Sequence, residues 1–120
     1  MNQGELVLVK FPFSDLSAVK ARPSLIVSND KYNISGQDVL LCAATSNPAE
    51  YEYGVKIGPA DMVRGKLRAP STIKADKLML MDKARIIKLL GKISEEKFAQ
   101  TVQKINGLIS SKEGGQKPGL

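Results

Sequence analysis

GELVLVKFPFSDLSAVKARPSLIVSN, residues 4–29, is the stretch whose reading decides the fold. Two runs rich in Val, Leu, Ile and Phe, Glu5–Phe13 and Pro23–Ser28, suit a pleated surface, and a short polar loop separates them. The spacing predicts a long antiparallel hairpin. Leu6-Val7-Leu8-Val9 is a nearly continuous apolar run, the pattern of a buried strand. Pro12 turns the end of that strand into an edge or a bend. The flanking rings of Phe11 and Phe13 either pack in the core or stack on bases. Ser14-Asp15-Leu16-Ser17 carries turn chemistry, and the loop continues past Lys20 to Arg22-Pro23. Proline fixes its own φ and holds the residue before it extended, so Arg22 is presented from a defined backbone at the mouth of a strand. A guanidinium held that way suits bidentate contact with phosphate, which makes Arg22 the first candidate for a phosphodiester contact.

Working outward, Ser28–Gln37 is dense in Asn, Asp, Ser and Gly and predicts a surface loop. Asp38–Ala44 predicts a third strand that runs into Thr45-Ser46-Asn47-Pro48. Two hydroxyls and an amide at a strand end serve either as donors to an oxyanion or as a capped turn. Weak alternation over Glu50–Ile57 predicts a half-exposed strand, broken at Gly58-Pro59. Ala60–Ala69, with Arg64, Lys66 and Arg68, reads as a basic loop or strand. Ser71–Met81 reads as a strand or strand pair, and Lys83–Leu90 as helix or strand closed by Gly91. Ser94 is a good N-cap, with Glu95 and Glu96 in the first turn of a helix. Phe98, Val102, Ile105 and Ile109 form its apolar stripe, whereas Lys97, Gln100 and Lys104 are expected to stay solvated. The expected architecture is mainly β (α+β), an SH3-like partly open barrel of five to seven strands with a C-terminal helix packed on it. It occupies residues 1–110 as one domain, followed by a disordered polar tail over residues 111–120.

Composition narrows the chemistry. Among 120 residues, 18 Lys and Arg outweigh 12 Asp and Glu, and the net charge of +6 favours a polyanionic partner, nucleic acid or an acidic protein. The chain has no histidine, which excludes Ser-His-Asp and Cys-His hydrolases and any His-based metal site. Its single cysteine, Cys42, forms no internal disulfide and, in an apolar run, reads as a small core residue. Neither a metal nor any other cofactor is expected. With no signal-peptide pattern and no apolar run near ~18 residues, a cytoplasmic protein is expected.

Three blocks carry a family resemblance: Gly4–Val9; Phe11-Pro12-Phe13-Ser14-Asp15-Leu16; and Arg22-Pro23-Ser24-Leu25-Ile26-Val27. With Ala43-Ala44-Thr45-Ser46, Lys74-Ala75-Asp76-Lys77-Leu78 and the final helix, the chain resembles the PemK/MazF family of type II toxins over residues 4–110. The resemblance implies a homodimeric barrel that cleaves single-stranded RNA at short sequences without metal and is inhibited by an acidic antitoxin. It matches Arg22 to the catalytic arginine and Thr45 to the hydroxyl residue paired with it. Ser46 takes that place if the register shifts by one, and Asp76 and Lys20 are further candidates for catalysis or RNA contact. The loop before Arg22 departs from the family, reading Ser17-Ala18-Val19-Lys20 where several members carry a glutamate and extra residues.

The borrowed chemistry fits a chain without histidine. RNA supplies its own nucleophile, the 2′-OH, so the protein need only orient the attack and stabilise charge on the phosphorane. The products are a 2′,3′-cyclic phosphate and a 5′-OH. Asp76, Asp15, Arg22 itself and water are the candidates for the general base. Two alternatives stand beside this: a non-enzymatic gyrase inhibitor like CcdB, which shares the barrel, and a degenerate RNA-binding barrel.

Overall fold

The computed structural model describes residues 1–11 and 20–111. The expected turn at Ser14–Ser17, Phe13, Asp15 and the tail from residue 112 onward lie outside the described residues. Among the described residues there are seven strands: β1 (Glu5–Lys10), β2 (Ala21–Ile26), β3 (Asp38–Thr45), β4 (Gly54–Ile57), β5 (Met62–Gly65), β6 (Ser71–Asp82) and β7 (Ile86–Ile93). Two helices, α1 (Asp30–Ser35) and α2 (Glu95–Ile109), complete the fold. The strands form one antiparallel sheet in the order β4-β6-β3-β2-β1-β7-β5. It curls into a half-barrel, the mainly-β architecture expected, with α2 against it.

Alternation along the strands splits the apolar residues between two faces. Leu6, Leu25, Cys42 and Leu78 lie opposite one another across β1, β2, β3 and β6. With Ala44, Val55, Ile57, Ile73 and Ile93 they form one core, against which Phe98 and Ile105 of α2 pack. Val7, Val9, Phe11, Ile26, Val39, Leu41 and Met81 form a second core on the other face.

Several local expectations are corrected. Ser28–Gln37 is not all loop: Asn29 caps α1, its side-chain oxygen accepting from the Tyr32 N–H at 2.8 Å. Asn33, 1% exposed, is held by Ser28, whose hydroxyl donates to its side-chain oxygen while its amide donates to the Ser28 carbonyl. The polar residues that resemble a loop are thus a cap and a buried clamp. β4 starts only at Gly54, because Tyr51–Gly54 is a turn closed by Gly54 N–H to the Tyr51 carbonyl at 3.0 Å. Lys83–Leu90 resolves into a short 3-10 turn, Lys83–Arg85, and the strand β7. Gly91 does not end that strand but lies inside it. A Cβ there would run into the Arg64 carbonyl, so glycine is what lets β5 pair closely with β7. In α2, Ser94 caps as expected, its hydroxyl accepting from Lys97 N–H at 3.2 Å, but Ile109 is 72% exposed and falls past the packed stripe.

Candidate active site

β2 begins two residues earlier than expected, at Ala21, and its ladder with β3 stops at Ser24↔Ala43. The next residue, Pro23, has no N–H to give to that ladder. Beyond it the chain is released from β3 but still paired to β1, Arg22 standing opposite Val9. Arg22 lies two residues beyond Ser24 on β2 and Thr45 two residues beyond Ala43 at the last position of β3, so each keeps the face of the last paired residue. The two lie on the face that carries Val9, Ile26 and Leu41, where the apolar row runs out and the strand ends reach solvent.

A cleft of about 370 Å³ opens there, lined by Phe11, Lys20, Arg22, Ala43, Ala44, Thr45, Lys74, Lys77 and Met79. Four of these side chains are cations and none is an acid. Arg22 is exposed and makes no ion pair among the described residues. Thr45 Oγ1 accepts from the Asn47 N–H at 3.1 Å, and Asn47 Oδ1 accepts from the Ala49 N–H at 3.1 Å. The capped turn and the oxyanion donor are therefore compatible. The Thr45 oxygen tethers the turn and its own O–H remains for donation.

Sequence reasoning singles out Arg22, Thr45 and Lys20, and all three line this cleft. Ser46 does not. It lines a separate concavity with Asn47, Pro48, Lys56 and Pro70, the one-residue step having turned it away. Asp76 is exposed on β6 and does not line the cleft either. Its charge reaches Cys42, whose thiol is pushed up to about 12, first by burial and then by that carboxylate.

Lys74 and Lys77 are cleft residues that sequence reasoning passes over. They enter through an irregularity in β6, where Cys42 pairs with Leu78 but Ala44 pairs with Ile73. Two steps along β3 thus correspond to five along β6, and the surplus residues bulge out of the ladder. The signal present is the polar insert Lys74-Ala75-Asp76-Lys77 between two apolar runs. Lys74 is further located by Tyr51, its Nζ standing 4.4 Å from the ring centroid.

A family profile described as "PemK-like, MazF-like toxin of type II toxin-antitoxin system" matches residues 2–109. No curated protein sequence matches the chain significantly. Among solved structures, a MazE–MazF complex from Deinococcus radiodurans is 22% identical with a TM-score of 0.78, over 93% of this chain and 97% of that one. An endoribonuclease in complex with its cognate antitoxin, from mycobacterial species, is 21% identical with a TM-score of 0.71, over 89% and 92%. The Mycobacterium tuberculosis toxin MazF-mt6 is 14% identical with a TM-score of 0.70, over 86% and 93%. At such identities these likenesses speak to the fold.

Proposed function

Because the chain belongs to the PemK-like, MazF-like toxins of type II toxin–antitoxin systems, we propose that it is an endoribonuclease acting on single-stranded RNA at the Arg22–Thr45 cleft. The observation that carries this reading is that Arg22 and Thr45 line one cleft with three further cations and, among the described residues, no acid. The substrate's 2′-oxygen attacks the adjacent phosphorus and the 5′-oxygen leaves, so one P–O bond forms as another breaks. The 2′-OH proton passes to a solvent water, and the leaving 5′-oxygen takes up a proton from solvent. Arg22 pairs with the non-bridging oxygens as negative charge builds, and the Thr45 hydroxyl donates to one of them. Lys74 and Lys77 hold the flanking backbone as point charges. The ends formed are a 2′,3′-cyclic phosphate and a 5′-OH, and no step requires a metal.

A net charge of +6 suits an acidic antitoxin as the inhibitory partner. The exposed apolar side chains of Ile87 and Leu89, two apart on β7, offer surface for a homodimer. Among the described residues no helix is long and apolar enough to cross a membrane, and with messenger RNA as the proposed substrate the proposed location is the cytoplasm. Incubating the purified protein with a long single-stranded RNA in EDTA tests the reading. Cutting at a limited set of sites is expected. Intact RNA would contradict it, and intact RNA together with stalled DNA gyrase would place the protein with the gyrase poisons instead.

A further inference from the structure

A second concavity, of about 520 Å³, runs along the flank of α2, walled by β4, the segment around Tyr51 and one edge of the helix. Lys97, Gln100 and Lys104 come from α2 at spacings of three and four, so they line up along that edge. The edge adjoins the side from which Phe98 and Ile105 pack on the core and where Thr101 is fully buried. That is why all three are half-buried rather than solvated, as their sequence positions predict. Lys104 Nζ donates to the Glu52 carbonyl at 3.0 Å, which fixes the lysine over the groove and leaves two of its three N–H donors. Among the described residues the one acid lining the groove, Glu50, is taken up by Lys56 at 2.8 Å. The hydrogen bond from that ammonium, and then its charge, hold the Glu50 carboxyl below its ordinary range. The surplus charge of the groove is therefore positive.

One side-chain contact joins the groove to the cleft. Lys74 lines the cleft, Tyr51 lines the groove, and the cation stands over the ring. We propose that single-stranded RNA leaving the Arg22–Thr45 cleft crosses this Lys74–Tyr51 pair and lies along α2, its phosphates on Lys97 and Lys104 and its bases within reach of Gln100 and Gln103. The proposal rests on the ribonuclease reading of the cleft. Ammonium groups, amides and an aromatic ring in one continuous track match the way single strands are held. An acidic peptide would use the lysines but has no need of continuity with a scissile phosphate. Nucleotides to one side of the cut then contribute binding without taking part in the chemistry, so the groove acts on KM and not on kcat.

Two variants test this: Lys97→Gln/Lys104→Gln, and Gln103→Glu, which adds repulsion at an exposed position and leaves the Lys104–Glu52 bond in place. Binding is read by fluorescence anisotropy with random-sequence single-stranded RNA between about 50 and 200 mM salt, so that it reports whether or not the protein cuts. The double variant is expected to bind about tenfold more weakly, with a salt slope shallower by roughly 1.4, about 0.7 for each phosphate no longer neutralised. Gln103→Glu is expected to weaken binding in the same direction. In cleavage, KM for a long RNA is expected to rise about tenfold with kcat unchanged, and a pentanucleotide carrying the same site is expected to be cut as by the unaltered protein. Unchanged affinity and salt slope in folded variants would overturn the proposal, as would equal losses on long and short substrates. So would lost binding of a poly-glutamate peptide with RNA binding intact, which would assign the groove to an acidic protein. Failure of the unaltered protein to cut any RNA would count against the cleft, whereas an unchanged KM in a protein that cuts counts against the groove alone.

Discussion

On one face of the central strands, Leu6, Leu25 and Cys42 stand opposite one another at 0% exposure, with the apolar side of α2 packed against the core they form. On the other face, Val9, Ile26 and Leu41 are just as buried, but the row ends in Arg22 and Thr45 at the rim of a cationic cleft. The same strands supply both faces by alternation. The core of one face is closed by Phe98 and Ile105 of α2. The other changes character where Pro23 takes β2 out of the β3 ladder and β6 bulges away. The site is the place where one of the two faces stops being core.

The sharpest way to break this comparison is to truncate one side chain on each face of β2. Arg22→Ala should lower the rate of RNA cleavage by roughly 10²–10³ and leave the thermal midpoint unchanged, since the residue is exposed. Leu25→Ala, three residues along on the other face, should cost about 2–5 kcal/mol of stability in urea titration, with cleavage retained while the protein stays folded. Near-normal cleavage by Arg22→Ala would remove the arginine from the site.

Cys42 reports on the covered face through pH. Burial keeps the thiol neutral in the fold up to about 12, while the unfolded chain ionises near the ordinary value of 9.0. The stability this contributes is whole below that ordinary value and is lost as pH rises from it towards the folded one. The expected slope is roughly 1.4 kcal/mol per pH unit in that window. It should disappear in Cys42→Ala, measured as the difference between the two pH profiles of chemical denaturation.

Smaller effects sharpen the other face. On the proposed chemistry Thr45→Val removes one hydrogen bond to the developing oxyanion and should slow cleavage by about 10–100-fold, whereas Ser46→Ala, in a different concavity, should stay within about twofold. Ser24, on the same face as Arg22, has a fully buried hydroxyl with no hydrogen-bond partner among the described residues. Ser24→Ala should therefore leave stability unchanged or raise it by up to about 1 kcal/mol in a thermal melt.

Much of this is readable before any coordinates. The two apolar runs around Arg22-Pro23 appear as β1 and β2, and Ser94 starts α2 as its capping chemistry predicts. Arg22, Lys20 and Thr45 are recognisable as candidates from residue type and resemblance, and they line one cleft. What stays hidden depends on pairing between distant segments. α1 hides because Asn29 and Asn33 read as loop residues until Ser28 is seen to clamp the second of them. Lys74 and Lys77 hide because a bulge is a mismatch between two strands, and β6 alone carries no sign of how β3 will pair with it. The half-burial of Lys97 and Lys104 hides because periodicity places them beside the apolar stripe without saying that β4 and Tyr51 will close over that edge.

The measurement closest to the central claim is the chemistry of the cut ends. After digestion of a defined single-stranded RNA in EDTA, the upstream fragments should carry 2′,3′-cyclic phosphate and the downstream fragments 5′-OH, and a 2′-deoxy residue at the cut site should abolish cutting. Upstream fragments ending in 3′-OH with downstream 5′-phosphates, or undiminished cutting at the 2′-deoxy site, would show that water and not the 2′-OH is the nucleophile. Either result would contradict a site built on Arg22 and Thr45 alone.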